Sequence, residues 1–142
     1  MTIIAAIDRT DRAQRVLKEA IKIADAFDDD VHVVHVISES EFIEMERTSV
    51  EDSGRPVEPD RIEAAAKKQA DRVVEEVGGD YKTVGLVGKV DSRIIRYADE
   101  NDAQYIVVAP RKRSPTGKAL FGSVAQGIIL NADCPVISTT SQ

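Results

Sequence analysis

Short runs of β-branched and aliphatic residues alternate along this chain with segments whose apolar residues recur every three or four positions. That alternation predicts parallel strands covered by helices. Ile3–Ile7 reads as a first strand. A helix follows from about Asp11 to Phe27, with Ala13, Val16, Leu17, Ala20, Ile21, Ala24 and Phe27 on one face. Asp28-Asp29-Asp30 ends it, and Val31–Ile37 forms a second strand. Asp60 and Glu63 have the spacing of a capping box. The helix they open uses Ile62, Ala66, Ala70, Val73 and Val77 and stops at Gly78-Gly79. Thr83–Val87 is a third strand, and Asp91 or Ser92 caps a helix containing Ile94, Ile95 and Ala98. Tyr105–Ala109 is a fourth strand, Ser123–Asn131 a short helix and Pro135–Ser138 a fifth strand.

The stretch from Ser38 to Pro59 breaks this rhythm. It carries Glu39, Glu41, Glu44, Glu46, Glu51, Asp52 and Glu58, and it reads as a mobile acidic excursion with a short helix near Glu41–Thr48. Its length exceeds that of an ordinary connection, so it is a solvated loop, a flap or a partner surface. At 142 residues, 42% apolar and 31% charged, the chain is expected to fold as one α/β domain over residues 1–142.

Charge adds the first functional signal. Between Ala103 and Ala132 there is no Asp or Glu, yet Arg111, Lys112, Arg113 and Lys118 lie there. That window is +4 in a chain whose net charge is −6, and such a local reversal is an electrostatic footprint for an anion. An apolar strand ends there, a basic Pro/Gly loop follows, and Gly122-Ser123 opens a helix whose N–H groups point at whatever sits above the sheet. In open α/β sheets, ligands bind beyond the carboxyl ends of strands where the winding reverses. Asp8 closes the first strand and Ala109 the fourth; if these strands are neighbours, an acid and a basic loop share one crevice. A nucleotide has donors at one end and phosphates at the other.

Other chemistries are excluded. The negative total argues against general nucleic-acid binding. One cysteine, Cys134, forms no internal disulfide, and the short N-terminal apolar run is neither a signal peptide nor a membrane span, so a cytoplasmic location is expected. Gly117-Lys118 fails as a phosphate-binding P-loop: the first glycine would be Lys112 and the Ser/Thr would be Ala119. No G-x-G-x-x-G follows the first strand. His32 and His35 point to opposite faces of a strand and cannot share a metal. No nucleophile–base arrangement emerges from spacing.

Several segments taken together resemble the universal stress proteins of the adenine-nucleotide-binding α-hydrolase-like superfamily. They are the strand ending in Asp8, Val34-His35-Val36, Ile106-Val107-Val108, Gly122-Ser123-Val124-Ala125 and the tail Ala132-Asp133-Cys134-Pro135-Val136-Ile137. The resemblance implies a Rossmann-like, open parallel five-stranded sheet of order 3-2-1-4-5 with helices on both faces. It implies that Ile7 and Asp8 lie against an adenosine, with Asp8 accepting from base or ribose, and that Val36 packs on the adenine. Ala109, Arg111 and Lys112 would line the ribose and first phosphates, and Gly122, Ser123 and Val124 would present N–H groups to the phosphates. It further implies a homodimer through the last strand, Val136–Thr139. The family's ATP-binding members carry a loop of the form G-x-x-G-x9-G-[ST]; here its first two glycines are Ala109 and Lys112, while Gly122-Ser123 is present.

The expected function is therefore a homodimeric stress sensor or regulator that binds ATP, with its Mg, or AMP or another adenine nucleotide. Turnover would be slow or absent, since no base to position water and no paired Mg carboxylates are evident. The alternative is a nucleotide-free dimer whose basic loop docks a protein or another anion, and no membrane partner is implied.

Overall fold

The computed structural model describes residues 1–56, 58–110, 112–113 and 119–139, with backbone alone at 112–113 and 119. Its elements in chain order are β1 (Thr2–Ala6), α1 (Arg12–Phe27), β2 (Asp30–Ile37), α2 (Glu39–Ser53), α3 (Pro59–Val77), β3 (Lys82–Val87) and α4 (Val90–Glu100). There follow β4 (Ala103–Val108), β5 (Lys112–Arg113), β6 (Ala119–Leu120), α5 (Ser123–Asn131) and β7 (Val136–Ser138). The main sheet runs β3-β2-β1-β4-β7 and its pairs are all parallel, which is the order 3-2-1-4-5 once the two-residue β5–β6 hairpin is set aside.

Central strands of a parallel sheet are covered on both faces, so they read as unbroken apolar runs. Ile3, Ile4 and Ala5 in β1 and Ile106 and Val107 in β4 are fully buried. On one face, Ile3, Ala5, Val31, Val33 and Val107 pack against the apolar stripes of α1 and α3. On the other, Ile4, Val34, Val36, Ile106 and Val108 pack against α4 and α5. Since every crossover returns its strand in the same direction, the carboxyl ends of β1, β2 and β4 gather along one edge.

Where the structure departs from expectation, local chemistry supplies the reason. The segment after Ser38 is a 15-residue helix, α2, rather than a loop with a short helix at Glu41–Thr48. Ser38 accepts from the Glu41 amide while the Glu41 side chain reaches back to the Ser38 amide, a capping box that nucleates it. Phe42 and Met45 then seat α2 on Ile37, Ile62 and Ala66. The box expected at Asp60/Glu63 does not form: α3 already begins at Pro59, with Glu58 at its N-cap. Likewise α4 starts at Val90 behind Lys89, and the Asp91 carboxylate accepts from the Ser92 amide within the first turn instead of capping. Phe27, placed on the buried stripe by its period, is half exposed because α1 ends there; its ring packs on Tyr105 at 5.8 Å between centroids. Asp28 takes the left-handed conformation (φ 57°) that terminates α1 and donates its amide to the Ala24 carbonyl.

Candidate functional site

At the sheet edge where β1, β2 and β4 end lies a cavity of about 490 Å³. The chain reverses winding between β1 and β4, which opens a crevice there. Seven of the residues expected to form a site, Ile7, Asp8, Val36, Ala109, Gly122, Ser123 and Val124, all line this one cavity. Ile94 and Ile128 from α4 and α5 add to its apolar lining. Of the remaining two, Arg111 lies outside the described residues and Lys112 is described through its backbone alone, in β5. A second hollow of about 380 Å³ adjoins it, sharing Ser123 and Val124 and bounded by Ser38, Gly88 and Lys89.

Asp8 sits in the turn between β1 and α1. Its Oδ1 accepts from the Thr10 amide at 2.8 Å and the Thr10 hydroxyl at 2.6 Å, and its Oδ2 pairs with Arg12 Nη2 at 3.3 Å. A carboxylate oxygen has room for two donors, so Oδ1 is filled and Oδ2 keeps one position. The Asp8 carbonyl accepts from Gln69 Nε2 of α3, which fixes the turn from the other side. Arg12 Nε is buried without a hydrogen-bond partner among the described residues, so this guanidinium has donor capacity to spare.

Across the cavity, α5 begins at Ser123 behind its N-cap Gly122, which is extended (φ −71°, ψ 173°) and has no side chain to cap the helix. The first amides of α5, from Ser123 onward, have no acceptor within the helix and belong to residues that line the cavity. This end of the cavity is therefore suited to an anion.

The sequence reading missed five polar residues in the wall: Arg9, Thr10, Arg12, His35 and Glu41. Arg9 Nη2 meets Glu41 Oε2 at 3.3 Å, joining the β1–α1 turn to α2. The Asp8/Arg12 spacing of four and the Ser38/Glu41 spacing of three were legible signals for two of them. His35 carried no such signal, because its role depends on how α3 approaches β2. It is 4% exposed, and its Nδ1 lies 3.2 Å from the Ala66 carbonyl. A carbonyl can only accept, so Nδ1 carries the proton in the neutral ring. Burial lowers the pKa of His35 below the ordinary value, opposed by the Ala66 bond. On the far side of the sheet, His32 Nδ1 and the Tyr97 hydroxyl are 2.7 Å apart, and burial followed by Lys82 lowers the pKa of His32 too.

These two shifts give a pH dependence. Both histidines bind protons more weakly folded than unfolded, so the stability they contribute is complete above the unfolded value of about 6.5 and is lost as pH falls below it. The melting temperature is expected to drop between pH 7 and 5.5, above the range where carboxylates titrate, and less so in His35→Asn. A flat profile over that interval would contradict the burial of both rings.

Among the described residues, no group of three or more His, Cys, Asp or Glu could hold a metal ion. No helix of the described residues is long and apolar enough to cross a membrane.

Comparison with known proteins follows the same lines. The universal stress protein family model matches residues 1–139. A universal stress protein of Methanocaldococcus jannaschii is 29% identical over 135 residues, spanning 95% of this chain and 79% of that protein. The structure of a universal stress protein from Archaeoglobus fulgidus superposes with a TM-score of 0.64 at 34% identity, covering 97% of both chains. A structure of the universal stress protein from that organism in complex with dAMP gives a TM-score of 0.62 at 31% identity, over 97% of this chain and 96% of the other.

Proposed function

This chain belongs to the universal stress protein family, and on that footing we propose that it binds ATP or a related adenine nucleotide and acts as a homodimeric stress sensor or regulator. The observation that carries this reading is the pairing, in one cavity, of the Asp8 turn with the uncapped N-terminus of α5. A volume of about 490 Å³ falls in the range of small-ligand and cofactor sites. The phosphates would take the amides of Ser123 and Val124 and the Ser123 hydroxyl, where the helix dipole favours negative charge. Ribose and base would cross the end of β1, past Ile7 and Asp8, toward Val36. The dAMP complex of the Archaeoglobus fulgidus relative supports an adenine ligand for this architecture. With ATP, Mg would be held by the phosphates rather than by a protein carboxylate cluster. The site offers positioning without an evident base for water, so hydrolysis is expected to be slow or absent.

The dimer would form through Val136–Thr139, since β7 is the outermost strand of its edge and Leu130 of the preceding helix is 79% exposed. One feature favours the alternative, a dimer that binds no nucleotide: Ala109 and Lys112 replace glycines that let backbone approach phosphate closely.

Thermal unfolding with Mg-ATP, AMP and inorganic phosphate separates these readings. Ligand at about a hundred times its dissociation constant should raise stability by roughly 2.7 kcal/mol, a shift of about 8 °C. A shift with ATP and AMP but not phosphate is the expected result. No shift with any of them at millimolar concentration would leave the nucleotide-free dimer.

A further inference from the structure

Helix α2 is held to the rest of the molecule by little. None of its residues is buried, and Phe42 and Met45 are the apolar side chains it sets on Ile37, Ile62 and Ala66. Its own ends are satisfied from within. Ser38 and Glu41 form the capping box, the Gly54 amide donates to the Val50 carbonyl, and the Ser49 hydroxyl donates to the Arg55 carbonyl at 2.8 Å. A helix capped in this way keeps those bonds whether or not it is docked. Its flanking residues are extended at Ser38 (ψ 161°) and left-handed at Gly54 (φ 72°), where the backbone leaves the helical conformation. Helix α2 can therefore swing as one body about these two positions.

What crosses from α2 to the β1–α1 turn is the Arg9–Glu41 pair, Nη2 to Oε2 at 3.3 Å. Both residues line the cavity, and Arg9 follows Asp8 in the turn that shapes it. Their side chains are 57% and 41% exposed, so the pair is weak and breaks readily. With the pair broken, Glu41 leaves with α2 and that part of the wall opens. We propose that the Arg9–Glu41 pair is a latch on α2, and that its opening sets the rate at which ligand enters and leaves the cavity. A lid that closes over occupied and empty sites alike changes exchange rates more than equilibrium affinity. The gating of nucleotide rests on the reading proposed above; the latch itself does not.

Two readouts separate these parts. In a Cys134→Ser background, Met45→Cys places a thiol where α2 packs on the core, and its rate of reaction with a soluble disulfide reagent reports how often the helix lifts. Arg9→Gln and Glu41→Gln should each raise that rate about threefold, the scale of an exposed ion pair, and the double variant should be no faster than either. Equal rates with and without these substitutions would overturn the latch. Dissociation of a fluorescent ribose-labelled AMP, chased with excess AMP, then tests the gate. Both single variants should release it about threefold faster. A purely electrostatic role would part them: loss of the Arg9 cation would speed release of an anion, whereas loss of the Glu41 anion would slow it. Slower or unchanged release from Glu41→Gln would therefore overturn the gate. Binding of neither labelled nor plain AMP by the wild type at millimolar concentration would overturn the nucleotide reading, while faster thiol reaction in both variants would still uphold the latch.

Discussion

Gly85→Ala is expected to lower the melting temperature by about 10 °C, corresponding to a loss of roughly 3 kcal/mol, the upper part of the range for overpacking a close contact. Gly85 lies in β3, and a Cβ built there would overlap the Glu63 carbonyl oxygen and the Lys67 amide of α3. Both obstacles are backbone, so no side-chain rotation relieves them; the whole helix must lift from the sheet. That helix carries Ile62, Ala66, Ala70 and Val73 into the core, which would lose contact along its length. It also carries the Ala66 carbonyl that fixes His35. The substitution should therefore loosen the β2 end of the cavity as well as destabilise the fold. Differential scanning calorimetry measures the loss of stability. An unchanged melting temperature would mean that α3 does not lie directly on β3.

Removing the Asp8 carboxylate has the opposite profile, a large effect on ligand and a small one on stability. In Asp8→Ala, the Thr10 amide and hydroxyl lose their acceptor and Arg12 loses its ion partner. The Asp8 side chain is 51% exposed and that of Arg12 25%, so water replaces most of what Thr10 loses and part of what Arg12 loses. The apo protein should melt within about 3 °C of the wild type, since exposed hydrogen bonds contribute about 1 kcal/mol or less. Nucleotide affinity should fall by about tenfold to a hundredfold, because the turn that shapes the cavity mouth is released and the acceptor for ribose or base is gone. Asp8→Asn retains an acceptor for Thr10 and should fall between the two. Isothermal titration of each variant with ATP checks the order. Wild-type affinity in Asp8→Ala would move the ligand away from the β1 turn.

The parts of this architecture that sequence patterning reaches are those buried on defined faces. Ile3–Ile7 and Ile106–Val108 are apolar without interruption because helices cover both sides of the central strands, and the α1 stripe repeats at helical spacing for sixteen residues. Helix α2 was harder to see because none of its residues is buried, so hydrophobic period says little. Its signal is polar, the Ser38/Glu41 pair, set within an acidic run that masks it. The β5–β6 hairpin, two residues per strand, is too short to show any period.

For the site, the strand ends were enough to bring Ile7, Asp8, Val36, Ala109, Gly122, Ser123 and Val124 to one cavity, because parallel topology collects carboxyl ends on one edge. Arg9 and His35 were not legible in the same way. Their places depend on how the β1–α1 turn, α2 and α3 approach one another across sequence separations that no local pattern encodes. His35 shows this well: its strand parity was evident, but the proton on Nδ1 is decided by a carbonyl 31 residues away.

The cavity between the Asp8 turn and the start of α5 is expected to bind an adenine nucleotide. Calorimetric titration of AMP into the purified wild-type protein at low ionic strength tests it most directly. Saturable binding of one AMP per chain is the expected result, weakened in Asp8→Ala and not competed by equimolar inorganic phosphate. Absence of binding at millimolar AMP, or binding that phosphate displaces equally well, would contradict it.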